Sequence, residues 1–484
     1  MMTFDQFRVG DYAVFDRTFS QDDFSAFSKL SGDTNPLHCD QAYATAHAAD
    51  GALVVPLHLT LAPLSRVAGM IFPGEPSLYL GHEVKAIKTI RYGEPLRYSA
   101  RIVAINQSHR ILSLRVLALR GAEVVLDAVM QVQARSKAWT SGPSDLIRHP
   151  EKGLALVTGA SGEIGSAIAL TLARNGWRLL LQDRGADKRR EKLAEALKQI
   201  GADARFVSCD LGKPDDLGPL SAALDQADDL DLVVHTASPG VMAAAEQLVA
   251  VNFSALKKIA DAAIAKLLAR QHGAIVLLGS TAVRASLPGW EAYSGAKAMA
   301  MNLVDGIERR FAPFGVRGYT LAPGYVATRF SDPYRSNSDA ALLPGEVADA
   351  LIELVSADAQ PGNTVFIEPG SVTRGKFGLR SGAVTPEKAV GPAPSPAAAT
   401  APAAPDPIAP LVRAVLRLPA NHDLHGGGLD LTPGWDSLKH IELILAIEAK
   451  LGLHFKSSEI EASHRYDDLV ALCAQKPRAG AHGN

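Results

Sequence analysis

Residues Gly153–Asp183 read GLALVTGASGEIGSAIALTLARNGWRLLLQD, and this stretch decides the fold of the middle of the chain. An apolar run, Gly153–Thr158, has the length of a buried strand. It meets the turn Gly159-Ala-Ser161-Gly162-Glu-Ile164-Gly165 and then a segment of helical period that stops near Gly176. A second apolar run ends at Asp183. Strand, turn, helix and strand in that order make one unit of a doubly wound parallel sheet, a Rossmann-type α/β domain. Glycines let the backbone approach a diphosphate, and the helix start offers unpaired N–H groups with the positive end of the helix dipole. The pattern predicts a bound dinucleotide. An acid about 20 residues beyond such a turn suits a ribose 2′-hydroxyl, so Asp183 favours NAD, whereas the adjoining Arg184 could instead hold the 2′-phosphate of NADP.

Downstream lie Asn252 in VNFSA, Ser280 in IVLLGSTAV, and Tyr293 with Lys297 in YSGAK. Positions four apart share a helix face, so the Lys297 ammonium, with help from a cofactor ribose, can lower the pKa of the Tyr293 phenol and fit it for proton transfer. With VTGASGEIG, the Cys209-Asp-Leu triplet and LAPGYVAT at Leu321–Thr328, these residues make 153–379 resemble a short-chain dehydrogenase/reductase of the 3-ketoacyl-carrier-protein reductase type. The resemblance implies that Tyr293 is the general acid, Ser280 orients the carbonyl, Lys297 tunes Tyr293 and holds the ribose, and Asn252 completes a proton relay. It places Gly159, Ser161, Gly162, Ile164, Gly165, Asp183 and Arg184 on the cofactor, with Asp210 and Leu211 by the adenine and Pro323, Gly324 and Thr328 by the nicotinamide. Two departures stand out: Glu163 replaces the family's second glycine, and His235-Thr236-Ala237-Ser238 replaces its Asn-Asn-Ala-Gly. A carboxylate beside a diphosphate must point away, or cofactor affinity suffers.

Upstream, residues 78–136 alternate apolar and polar in short bursts such as LRYSARIVAI and ILSLRVLAL, which predicts antiparallel strands. Before them, residues 27–44 read FSKLSGDTNPLHCDQAYA. Asp33 and His38 share a loop with Gly32 and Pro36, and such a pair can move protons at a double bond. The string resembles the signature of MaoC-like (R)-specific enoyl thioester hydratases. That resemblance implies an α+β hot-dog fold around one helix, here Pro56–Ile71, with Asp33 and His38 as the catalytic pair that adds or removes water across an acyl thioester. The family follows with a glycine whose N–H holds the thioester oxygen; here Pro56 or Leu57 falls at that place, and with Pro56 there one donor is lost, since proline has no N–H.

The stretch Gly382–Pro410, GAVTPEKAVGPAPSPAAATAPAAPDPIAP, has almost nothing to bury and predicts a flexible tether. Extended, it reaches about 80 Å. Beyond it, IAPLVRAVLRL and Leu438–Leu451 have helical period, and Gly434-Trp435-Asp436-Ser437-Leu438 lies between them. The segment resembles an acyl carrier protein, a small all-α helical bundle, which implies 4′-phosphopantetheine on Ser437 and a phosphopantetheinyl transferase as partner.

The multidomain layout is therefore 1–140 hot-dog, 151–380 reductase, 381–410 linker and 411–478 carrier. A length of 484 residues agrees with about three domains. The formal charge of −2 gives no footprint for nucleic acid. Cys39, Cys209 and Cys473 are too few and too scattered for a disulfide framework or a metal site. The N-terminus lacks a signal-peptide pattern, and the greasiest segment, Gly51–Gly74, carries Arg66 and three prolines, so no membrane span is expected and the cytoplasm is the expected location. The combination reads as an enzyme on acyl thioesters, fed by a condensing enzyme or feeding an acyltransferase. Homo-oligomers through the hot-dog and reductase domains follow by analogy. Two other readings stay open: an acyl-delivery protein with a silent hot-dog module, and a reductase of an unrelated alcohol.

Overall fold

The structure, a computed structural model, describes residues 2–135, 138–139, 152–185, 187–284, 287–334, 340–356 and 363–375, with a discontinuous set between 408 and 475. The chain divides into two compact units, Met1–Ala383 and Val384–Asn484. The first opens with β1 (Met2–Thr3), β2 (Tyr12–Arg17), α1 (Gln21–Ser31), α2 (Gln41–His47) and α3 (Leu57–Arg66). There follow β3 (Ser77–Ala86), β4 (Leu96–Asn106), β5 (Ile111–Arg120), β6 (Glu123–Ala134) and β7 (Ala138–Trp139). Five of these strands form an antiparallel sheet in the order β2-β4-β5-β6-β3. Period-two alternation puts Tyr98, Ala100 and Ile102 of β4 and Leu112, Leu114 and Val116 of β5 into one core with Leu59, Leu64 and Val67. The helix expected over Pro56–Ile71 starts one residue later, with Pro56 as its N-cap, and a π-helical turn, Val67–Ile71, carries it on.

The central part alternates strand and helix as the Gly153–Asp183 pattern requires. Its elements are β8 (Leu154–Thr158), α4 (Glu163–Arg174), β9 (Arg178–Asp183), α5 (Lys188–Gln199), β10 (Ala204–Ser208), α6 (Gly218–Asp225) and β11 (Leu230–His235). Then come α7 (Ala245–Val249), α8 (Leu256–Arg270), β12 (Gly273–Leu278), α9 (Glu291–Phe311), β13 (Val316–Pro323), α10 (Pro344–Ser356), β14 (Thr364–Glu368) and β15 (Ser371–Gly375). The sheet order is β10-β9-β8-β11-β12-β13-β14-β15, parallel except for the last pair. Strand order reverses between β8 and β11, and in such sheets a crevice opens there, outside the carboxyl ends of the strands. The turn after β8 is tight enough to demand glycine. A Cβ on Gly165 would lie 2.3 Å from the Gly159 carbonyl oxygen, and one on Gly159 would lie 2.8 Å from Ala237 Cα.

The antiparallel sheet uses its second face as well. Leu117, Leu119 and Val124 join the same buried cluster as Leu256, Ile259 and Ala263 around α8. A polar seam borders this contact. Ser99 Oγ donates to Ala269 O at 2.7 Å, and the Arg101 guanidinium donates to Arg270 O at 2.7 Å. Gln271 Nε2 donates to Ser99 O at 3.0 Å and Arg115 O at 3.1 Å. Gln271 caps α8 with a left-handed φ of 50°, a conformation that ordinarily selects glycine; here a glycine would have no amide to reach the other sheet. Arg270 pairs with Asp231 at 2.9 Å, both buried. Asp231 is the second residue of β11 and Gly273 the first of β12, so the antiparallel domain docks at the amino-terminal edge of the parallel strands, opposite the Gly159 turn.

In the second unit, α11 (Ala409–Leu416), α12 (Ser437–Leu451) and α13 (Tyr466–Gln475) gather Ile408, Val412, Trp435, Leu443, Ile447, Tyr466 and Leu469 into a core. The expected tether lies outside the described residues as far as residue 407. Among the described residues no helix is long and apolar enough to cross a membrane.

Candidate active sites

A cavity of about 1100 Å³ opens at the crevice. At its inner end the glycine-rich turn, with Ser161, Gly162 and Ile164, faces Asp210, Leu211 and Asp183; at its other end Ser280, Tyr293 and Lys297 face Pro323, Gly324 and Thr328. Every cofactor residue read from the sequence thus lines one space. Asn252 lies behind it, fully buried.

Gly159 N–H donates to Gln182 Oε1 at 3.0 Å, while Gln182 Nε2 donates to Cys209 O at 2.8 Å. Gln182 therefore ties the ends of three strands into one floor, a role missed in the sequence although a lone Gln in LLLQD was the signal. Asp183 is buried, and burial raises its pKa. Its Oδ1 accepts from Gly185 N–H at 3.0 Å and Oδ2 has no hydrogen-bond partner among the described residues. A hydroxyl donor is what that orphaned oxygen lacks. Arg184 and Arg189 line the same end, although Arg189 is paired with Asp187 at 3.3 Å. Arg190 is held by Ser208 Oγ at 2.7 Å.

Glu163, the first departure, turns its carboxylate aside: Oε2 accepts the backbone N–H of Arg329 at 2.9 Å. The second departure divides: Thr236, Ala237 and Ser238 line the cavity, while His235 packs inside. His235 is wholly buried between Thr158 Oγ1, at 2.9 Å, and Val251 O, at 3.1 Å. Burial pushes its pKa down to about 3, so it stays neutral.

Tyr293 and Lys297 project from α9 and are buried. Lys297 Nζ donates to Leu278 O at 2.9 Å and lies 5.9 Å from the Tyr293 ring centre. Burial pushes Lys297 down to about 7. It pushes Tyr293 up to about 12, opposed by a hydrogen bond with Ser280. The sequence led us to expect a lowered phenol; in the protein alone desolvation of the phenolate outweighs its neighbours, and the proton stays on Tyr293. Asn252 sits in a π-helical turn, Ala250–Ala255. Its Nδ2 donates to Leu248 O at 2.9 Å, and its buried Oδ1 has no partner among the described residues. An aromatic surround that the sequence did not flag closes on Tyr293: Trp290 at 5.8 Å and Phe330 at 6.1 Å between ring centres, with Tyr334 at 5.3 Å from Trp290.

Asp33 and His38 form a separate cluster in the antiparallel domain. Asn35 N–H donates to Asp33 Oδ1 at 3.0 Å, while Asp33 Oδ2 faces His38 Nε2 at 3.8 Å. His38 Nδ1 lies 2.6 Å from Val54 O. A carbonyl only accepts, so Nδ1 carries a hydrogen and Nε2 is the ring nitrogen turned toward Asp33. In the stretch that should hold the thioester oxygen, Val54 N–H is spent on Leu37 O at 3.2 Å and Val55 N–H on Ile90 O at 2.9 Å. Pro56 has none to offer. The nearest donors are the first N–H groups of α3, which have no carbonyl within the helix to bind.

Ser437 opens α12 in the second unit; its neighbours Gly434 and Asp436 lie outside the described residues. Among the described residues no three acidic, His or Cys side chains are grouped to hold a metal ion.

Comparison with known proteins agrees with the central domain. Residues 153–339 match the short chain dehydrogenase family, so the chain carries a domain of that kind with a Rossmann-like parallel sheet. The uncharacterized oxidoreductase YmfI of Bacillus subtilis is 28% identical over 224 residues, covering 42% of this chain and 92% of that protein. A 3-oxoacyl-[acyl-carrier-protein] reductase of Staphylococcus aureus is 27% identical over 187 residues, covering 37% and 76%. Among solved structures, a 3-oxoacyl (acyl-carrier-protein) reductase from Agrobacterium tumefaciens with NADP bound is 26% identical, covering 45% of this chain and 93% of that one, with a TM-score of 0.41.

Proposed function

We propose that this chain is a multifunctional acyl-thioester enzyme whose central domain reduces a 3-ketoacyl group, carried on phosphopantetheine at Ser437, to the 3-hydroxyacyl group. The N-terminal domain then removes water to give the 2-enoyl thioester. The observation that carries the reading is the meeting of Ser280, Tyr293 and Lys297 with the glycine-rich turn in one cavity. Likeness to reductases named for 3-oxoacyl carrier-protein substrates supports the substrate class.

The cavity fits a nicotinamide dinucleotide. Gly162 has no side chain to block the turn, since a Cβ there would come within 3.1 Å of Gly159 O. Asp183 Oδ2, a buried acceptor with no partner among the described residues, suits a ribose hydroxyl, which supports NADH over NADPH. When bound, the cofactor supplies a hydride. The protein supplies the rest. Ser280 holds the ketone oxygen, and Tyr293, kept protonated by burial, donates its proton to that oxygen as charge develops. Lys297 steadies the phenolate left behind, and the open Oδ1 of Asn252 can accept from a proton-bearing group that resupplies it. In the other site His38 Nε2 takes a proton from C2, and the Asp33 and His38 pair delivers one to the departing hydroxyl. Tethering the acyl group raises its concentration at each site to about the millimolar range.

One observation favours a second reading, that the N-terminal domain is catalytically silent and the chain delivers a 3-hydroxyacyl group to a transferase. Val54 and Val55 spend their N–H groups on Leu37 O and Ile90 O and Pro56 has none, so among the described residues this stretch leaves the task to the first N–H groups of α3.

The test is the mass of the Ser437 peptide after a phosphopantetheinyl transferase has loaded a short 3-ketoacyl group and NADH or NADPH has been added. A gain of two hydrogens followed by loss of water is the expected course. Tyr293→Phe should stop the first step and spare hydration of an added enoyl thioester, and Asp33→Asn should do the reverse. Arrest after the gain of two hydrogens would select the delivery reading. No reduction of any acyl thioester would overturn both.

A further inference from the structure

Glu163 stands where a diphosphate-binding turn is best served by a residue with no charge, and its carboxylate is not idle. It accepts the N–H of Arg329 at 2.9 Å across 166 positions of sequence. Arg329 lies in a short segment whose two neighbours reach the reacting end of the cavity. Thr328 is buried and lines the cavity beside Pro323 and Gly324. Phe330 brings its ring to 6.1 Å from that of Tyr293. The segment is turned back on itself by Ser331 and Asp332, whose N–H groups both donate to Thr328 O at 3.0 Å. The Thr328 and Ser331 hydroxyls also donate to Val326 O, and among the described residues Glu163 ties the segment to the glycine-rich end of the cavity.

Building on the dinucleotide-reductase reading above, we propose that Glu163 is a positioning residue that latches the 328–331 segment over Tyr293, shaping the ketone site while opposing the cofactor's diphosphate. The two effects come from different properties of one side chain. The latch needs an acceptor oxygen, which an amide also provides. The opposition needs the negative charge at the first residue of α4, where the helix end otherwise attracts anions. The substitution from glycine thus exchanges cofactor affinity for order in the wall that contacts the substrate.

The two roles separate by mutation. Glu163→Gln removes the charge and keeps the acceptor. Its dissociation constant for NADH, read in the full chain by energy transfer from tryptophan to the nicotinamide, should fall about threefold at low salt. That gain should shrink as salt screens the charge. Glu163→Ala removes both. It should show a similar gain for NADH, but its KM for a 3-ketoacyl thioester should rise about fivefold, the worth of one lost hydrogen bond. The Gln variant should restore that KM toward the wild-type value. Equal NADH affinity in all three proteins, or a KM that rises as much in Gln as in Ala, would overturn the proposal. Failure of the wild-type chain to bind either nicotinamide cofactor would instead overturn the reading on which it rests.

Discussion

Replacing Lys297 by methionine should abolish the proposed ketone reduction and make the protein more stable. Lys297 is 2% exposed, and burial takes its pKa from the ordinary 10.5 to about 7. At about 1.4 kcal/mol per pH unit, burying the ammonium costs the folded state on the order of 5 kcal/mol. Between pH 7 and 10.5 the unfolded chain keeps a proton that the folded protein has released, so stability rises with pH across that window. The whole cost is felt below pH 7. Methionine has similar length and no charge, but it leaves Leu278 O without the bond that Lys297 makes at 2.9 Å, a loss of about 1–3 kcal/mol. The net gain for Lys297→Met in mildly acidic buffer is then about 2–4 kcal/mol, or upwards of about 4 °C in melting temperature for a domain of this size. The gap should close by about 3 kcal/mol as the buffer is raised from pH 6.5 to pH 9.5. Urea unfolding of both proteins at several pH values, followed by tryptophan emission, measures it. A variant less stable than wild type at pH 6.5, or a gap indifferent to pH, would refute the view that Lys297 is held at the cost of stability.

Two further outcomes follow from the packing. Gln271→Gly relieves the left-handed backbone by about 1 kcal/mol but removes side-chain hydrogen bonds worth about 0.5–1.5 kcal/mol each; calorimetry should show the antiparallel domain melting apart from the parallel one, and one unchanged transition would count against the seam. Gly165→Ala places a Cβ 2.3 Å from Gly159 O, so the turn must open, and NADH affinity by fluorescence titration should drop more than tenfold, a loss of about 2 kcal/mol in binding.

The sequence exposed what is local. Gly159, Gly162 and Gly165 lie within seven residues, and Tyr293 and Lys297 four apart, so these short strings carried the family resemblance that named them. The structure gathers them with Ser280 in a single cavity. What stayed hidden depends on partners far away in the chain. Glu163 looked like a defect in the turn because its acceptor role is toward Arg329. Gln271 gave no hint of a left-handed cap, since its reason lies in Ser99 and Arg115. Tyr293 was expected to ionise more easily because Lys297 is its neighbour; burial of both groups is a property of the assembled core, and it reverses the sign.

The second face of the antiparallel sheet has a bearing on descent. Leu117, Leu119 and Val124 belong to the same core as Leu256, Ile259 and Ala263, so cutting the chain near residue 145 would lay bare a greasy patch on each fragment and invite aggregation. Two ancestral genes brought together by fusion would begin as separable modules. Once such residues interlock, neither half can be lost, swapped or expressed alone without losing solubility, and recombination can move the two only as a pair.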